Sequence, residues 1–217
     1  MSFRATTLRR HHLVVILAGL ISVPAFAQVA NSPVIFANTD GVTTSFVQAQ
    51  NMGGSSGGSA RGDNQWMKVE FHYAVTPAVG DYLDAVTFKV WIEGRDLLDP
   101  QGQPGKGIAV AITGSVSYVN VPKGKDLYGV VYIHPSTLGR YNAGGGSSDF
   151  DRKFNIHVEA DVDGKPVDNI DKRKEQDLVW FQPLKPVPGL VFLQNQCPFI
   201  SSDPDRYPAL KLPAAQN

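Results

Sequence analysis

The chain has 217 residues, with 20 Lys and Arg set against 20 Asp and Glu, and one cysteine, Cys197. Such a balance offers no electrostatic footprint for nucleic acid. A single cysteine excludes an intramolecular disulfide and a cysteine-based zinc cage, so stability has to come from packing.

Residues 1–27 carry the pattern of a secretory signal peptide. Arg4, Arg9 and Arg10 precede the apolar run Leu13 to Ile21, and Ala25-Phe26-Ala27 is a small-x-small cleavage site ahead of Gln28. The apolar run falls short of the roughly 20 residues a membrane span needs, and no later stretch supplies one. His11-His12-Leu13 after Arg9-Arg10 departs from the more specific pattern of a twin-arginine leader, which favours the general secretory route. The expected product is exported to the periplasm, to an outer-membrane-associated position or to the exterior, with no membrane span after leader cleavage. Removing the leader takes away three basic residues and no acid, which leaves 190 residues with net charge −3, a length suited to one domain over 28–217.

In chain order, an N-terminal segment, 28–52, contains apolar runs at Val34–Phe36 and Val42–Val47 that read as a strand pair. A flexible Gly/Ser loop, 53–63, follows and ends on Arg61-Gly62-Asp63. That tripeptide is the one integrins read and stands as a candidate adhesion motif, though it is short enough to arise by chance. From Trp66 the chain alternates with period two. Met67, Val69, Phe71, Tyr73 and Val75 share one side of a strand and Trp66, Lys68, Glu70 and His72 the other. Val86, Phe88, Val90 and Ile92 oppose Thr87, Lys89, Trp91 and Glu93, and Phe154, Ile156, Val158 and Ala160 oppose Asn155, His157 and Glu159. In this phase Phe88 and Ile156 are core residues. Lys89 is a surface residue, whose truncation is expected to cost no more than about 0.5 kcal/mol.

Ile108–Thr113, Val116–Val121, Leu127–His134 and Leu178–Gln182 are β-branched or aromatic runs bounded by Gly, Pro or Asp and read as more deeply buried strands. Gly114 reads as a bend or bulge between two of them. Pro122-Lys123-Gly124-Lys125 is a turn sequence, and Asp163-Gly164 predicts a tight type I′ hairpin. No long segment shows capped helical periodicity. The fold class is therefore all-β: an antiparallel β-sandwich of about seven to nine strands with no substantial helix. The C-terminal tail, with Pro204, Pro208 and Pro213, is expected to run irregularly over the surface.

Little in the chain points to chemistry. His72 and His157 lie on polar strand faces and could approach only if their strands were neighbours, and no paired-His spacing accompanies them. No Gly-x-Ser-x-Gly elbow is present. Asp161-x-Asp163-Gly164 starts like a calcium loop but lacks its later ligands. Cys197 has no neighbouring His or Lys to activate it and reads as a buried small hydrophobe. No catalytic, cofactor-binding or metal residue is assigned. Trp66 and Trp91, both on the polar side of their strands, form the candidate interaction surface, either exposed or lying under the N-terminal segment.

Trp66-Met67-Lys68-Val69-Glu70-Phe71, Phe88-Lys89-Val90-Trp91-Ile92-Glu93-Gly94 and Tyr128-Gly129-Val130-Val131-Tyr132-Ile133-His134-Pro135 carry a resemblance. Over about Gln65 to Leu210 the chain resembles the exported single-domain immunoglobulin-like proteins encoded beside type IV pilus genes in verrucomicrobial bacteria. The resemblance implies an immunoglobulin-like sandwich and a non-enzymatic role in or near a pilus or secretion system. Its partners would be envelope or pilus proteins, or further copies of the chain, met through exposed strand edges and the tryptophan face. It transfers no functional residues. The chain departs from pilins in its cleaved leader and lack of an N-terminal helix, and from antibody domains in lacking a cysteine pair. A carbohydrate- or ligand-binding module that stacks sugars on Trp66, Trp91 or Trp180 is the alternative.

Overall fold

In a computed structural model, residues 32–37, 41–48, 65–98, 104–141, 155–172, 179–203 and 205–212 are described. The leader 1–27, the Gly/Ser loop with Arg61-Gly62-Asp63, and Phe154 lie outside the described residues. The alternating run after Asn64 becomes β3 (Gln65–Val75), with β1 (Val34–Phe36) and β2 (Val42–Gln48) end to end along one edge of it. β6 (Gly124–Ile133) pairs with the other edge of β3, and β10 (Val191–Phe192) continues beyond β6. These five strands form sheet 1. Sheet 2 centres on the long hairpin of β4 (Tyr82–Leu98) and β5 (Pro104–Pro122). β7 (Ile156–Val162) and β8 (Lys165–Lys172) extend it on the β4 side, and β9 (Lys185–Pro188) and β11 (Ala209–Leu210) on the β5 side. All pairings are antiparallel except β5 with β9.

The two sheets face each other across one core. Val69, Phe71 and Tyr73 of sheet 1 meet Phe88, Val90, Ile156 and Val158 of sheet 2, all of them solvent-free. Phe71, Tyr73 and Phe88 pack with ring centroids 4.6–4.7 Å apart at Phe88. The protein is thus an all-β sandwich with both strand phases as the alternation predicts. A seven-residue helix, α1 (Pro135–Tyr141), lies across one end, and its first turn is closed by His134, whose Nδ1 accepts the Ser136 N–H at 3.1 Å.

Both open sides of the sandwich are closed. On one side Asp168 of β8 accepts the Phe36 N–H of β1 at 2.8 Å, and Lys172 Nζ donates to Thr44 Oγ1 of β2 at 2.8 Å. On the other, the Tyr118 hydroxyl of β5 accepts the Val130 N–H of β6 at 2.9 Å. The chain itself passes there from β9 in sheet 2 to β10 in sheet 1 through Gly189 at φ 81°.

Several expectations are corrected. The described residues hold eleven strands, because the C-terminal region adds the short β9, β10 and β11. β1 and β2 do not pair with each other; each takes its own stretch of β3. Gly114 is neither bend nor bulge. It sits in unbroken register opposite Val90, and a Cβ there would overlap Val191 of β10, so the glycine is needed for close approach of the two sheets. The run at Leu178–Gln182 forms no strand: residues 179–182 are turns, with Trp180 buried. Asp163 and Gly164, at φ 52° and 75°, make the predicted type I′ hairpin between β7 and β8.

Candidate interaction surface

The outward face of sheet 1 is built by alternate residues of β3 and β6: Trp66, Lys68, Glu70 and His72 beside Tyr128, Val130 and Tyr132. Strand phase alone would leave this row in water. Instead the C-terminal segment, residues 193–212, lies over it as a strap, and the row explains how the strap is held. The Glu70 carboxylate accepts Arg206 twice, from Nη2 at 2.7 Å and Nε at 3.1 Å. It also accepts the Tyr207 hydroxyl at 2.6 Å and pairs with Lys68 Nζ at 2.7 Å. Burial pushes this carboxyl up, but the hydrogen bonds from Arg206, Lys68 and Tyr207 together outweigh burial and hold it at about 2. The Arg206 guanidinium lies 4.1 Å over the Tyr128 ring, on which His72 stacks at 4.6 Å.

A second anchor is aromatic. Phe199 of the strap stacks on Tyr132 at 5.1 Å and meets Trp66 edge-on at 5.8 Å, while Phe192 and His134 close around the same indole. Trp66 is therefore only 8% exposed. The strap leaves an open cleft of about 600 Å³ along the end of β2, with Lys68, Tyr132, Phe199 and Ile200 in its walls. A smaller depression of about 340 Å³ lies on the other side of Ile200 and reaches Leu212. Ile200 and Leu212 remain 59% and 65% exposed.

The predicted tryptophan face is not formed. Trp66 belongs to sheet 1 and Trp91 to sheet 2, so the two occupy opposite faces of the sandwich, and Trp66 is covered by the C-terminal strap rather than by the N-terminal segment. Trp91 packs against His157 and Phe181, with ring centroids 5.3 and 4.9 Å away. Periodicity found the outward positions. It could not show that segments far along the chain return to cover them.

His72 and His157 likewise lie on different sheets and do not meet. His157 Nδ1 contacts Asp171 Oδ1 at 3.1 Å, and the Trp180 indole N–H donates to the same oxygen at 3.1 Å. A His–Asp pair of this kind orients the imidazole in hydrolases. Here Phe181 stacks on the ring at 4.3 Å and Trp91 flanks it, so the pair pins a turn. Among the described residues no group of three His, Cys, Asp or Glu could hold a metal ion. The Cys197 thiol donates to the Gln194 carbonyl at 3.2 Å, and burial pushes its pKa up, the condition of a structural rather than a reactive cysteine.

The sequence profile of one protein family matches residues 36–213, four-fifths of the chain, from the end of β1 through the strap. The chain belongs to that family. A crystal structure from Akkermansia muciniphila, a verrucomicrobium, shares the fold with a TM-score of 0.62 at 23% identity, covering 83% of this chain and 93% of that one. No curated protein matches the chain.

Proposed function

We propose that the protein works by association, as an exported, non-enzymatic structural or interaction protein of the bacterial envelope, in or near a type IV pilus or secretion system. The observation that carries this reading is the strap-side face. Two open depressions flank Ile200, and the exposed side chains of Ile200 and Leu212 stand on a platform fixed by Glu70 and the aromatic cluster around Trp66. Rigid apolar anchors beside concave surface are what protein partners use, because little entropy is lost when they are buried. Export rests on the leader pattern of residues 1–27, and the immunoglobulin-like, pilus-linked setting on the strand sequences quoted above. Association through sheet edges is disfavoured, since side chains from the facing sheet already occupy the edges at Phe36 and Val130.

Sugar stacking finds little support in the burial of Trp66 and Trp180 and in the packing of Phe181 on Trp91. The test is recovery of cross-linked partners from the envelope of the source bacterium, identified by mass spectrometry. Pilus or secretion components should be recovered by the wild-type chain and lost with Ile200→Asp or Leu212→Asp, circular dichroism being unchanged. Equal recovery by these variants, or recovery of no envelope protein by the folded wild type, defeats the reading.

A further inference from the structure

The strap is a self-contained module. Its backbone hydrogen bonds are mostly its own: Gln196 N–H to the Leu193 carbonyl at 2.9 Å, Ser202 to Phe199 at 2.9 Å and Arg206 to Asp203 at 3.1 Å. The Gln194 side-chain amide adds bonds to the Phe199 and Ser202 carbonyls at 3.3 and 2.7 Å. Among the described residues, main-chain pairing with the body of the sandwich lies at the end of the strap, where Ala209 and Leu210 meet Val119 and Tyr118, and Lys211 donates to the Ser117 carbonyl at 2.8 Å. The other attachments of its described residues are made by side chains: Cys197, Phe199 and Tyr207 buried, and Arg206 on Glu70. The residues between the two sheets, from Val34 through Ile156 and Val158, belong to the strands of the sandwich, and Cys197, Phe199 and Tyr207 of the strap join the same buried cluster.

We propose that this strap, residues 193–212, is an exchangeable connector through which one copy of the chain engages a second copy, each strap seating on the sheet 1 face of the other. The complement of that face, in charge and in shape, is the strap itself. A segment that holds its own turns can make the same contacts in trans, and exchange of an identical element is a low-cost route to dimers. The exposed Ile200 and Leu212 are the second indication, being apolar side chains on the strap that a paired copy would cover. In dilute solution the covalently joined strap wins through its high effective concentration, so exchange is a property of the concentrated protein. The proposal rests on the association reading above, yet it is separable from it, since a chain can capture envelope proteins without pairing with itself.

The test is a charge swap in the full-length protein. Glu70→Arg sets a new guanidinium against both Arg206 and Lys68, and Arg206→Glu leaves two facing anions, so neither chain latches its own strap. Mixed, the two restore both ion pairs only by reciprocal exchange. By native mass spectrometry the mixture should hold at least about tenfold more heterodimer than either variant forms of homodimer, since two ion pairs are regained. The double variant Glu70→Arg with Arg206→Glu regains the ion pair within one chain, without the Lys68 and Tyr207 contacts to Glu70, and should form less dimer than the mixture. Two separate monomers in the mixture, with both variants folded by circular dichroism, overturn the proposal. A second measurement needs no variant: the concentrated wild type must show a dimer population that rises with concentration. A strictly monomeric wild type up to its solubility limit overturns the proposal equally.

Discussion

Arg206 grips Glu70 through two nitrogens, at 2.7 and 3.1 Å, across 136 residues of sequence. With the carboxyl held at about 2 against an ordinary 4.5, the latch contributes stability that is present above pH 4.5 and is lost as pH falls through about 2. Glu70→Gln should remove that part of the acid dependence and lower stability at neutral pH by about 1–3 kcal/mol. Urea unfolding between pH 2 and pH 7 checks both statements. Cys197 reports the strap directly: a thiol reagent should label it slowly in the native protein. Arg206→Ala should speed labelling about tenfold for each 1.4 kcal/mol lost from the latch. Unchanged labelling in Arg206→Ala would mean that Phe199 and Tyr207 hold the strap without the ion pair.

Two glycines should respond to the same substitution with opposite signs. Gly129 of β6 lies opposite Phe71, and a Cβ there would fall on the Phe71 ring, itself wedged against Phe88. Gly129→Ala is expected to cost about 1–3 kcal/mol by overpacking. Gly139, exposed inside α1, has nothing within 4 Å of an added Cβ. Gly139→Ala should gain about 0.5–1 kcal/mol by reducing the freedom of the unfolded chain. Thermal or urea melts of the two variants decide the matter.

Lys89 is more than the surface residue its strand phase suggests. Its ammonium reaches Asp161 at 2.5 Å and Glu159 at 3.0 Å, and Asp161 is buried, with Oδ1 unpaired among the described residues. The Asp161 hydrogen bond, ahead of an opposing burial effect and of Glu159, raises the lysine's pKa. Lys89→Ala should therefore cost about 1–3 kcal/mol, because it strands a buried carboxylate. The double variant Lys89→Ala with Asp161→Asn should lose less than the two single changes together. An additive cycle would mean that water already solvates Asp161.

Sequence pattern reached the sandwich and the inward faces of β3 and β4 because period two is a local property, written in neighbouring residues such as Phe88 and Lys89. It also reached the Asp163-Gly164 turn, where the positive φ demands those residue types. The strap was not legible. β9 contains Pro186 and Pro188, β10 and β11 are two residues each, and none carries an alternating run. The burial of Trp66 depends on Phe199, 133 positions away, and the pinning of Trp180 on Asp171 depends on a turn that looks apolar enough to be a strand. Leu127 to Ile133 gave its strand but not Gly129's role, since a close approach to Phe71 is visible only once β6 is paired with β3.

The bond from the Phe36 N–H to the Asp168 carboxylate spans 132 residues. A ribosome delivers Phe36 long before Asp168, so this tie between β1 and β8 cannot form until most of the chain has emerged, whereas the β4–β5 hairpin can form as soon as its own residues are free. Contacts of such wide separation slow folding, because a long loop must close before they return any stability. The nascent chain should thus pass through a stage in which the β4–β5 ribbon exists and the sandwich does not, and it should complete itself only near the end of synthesis.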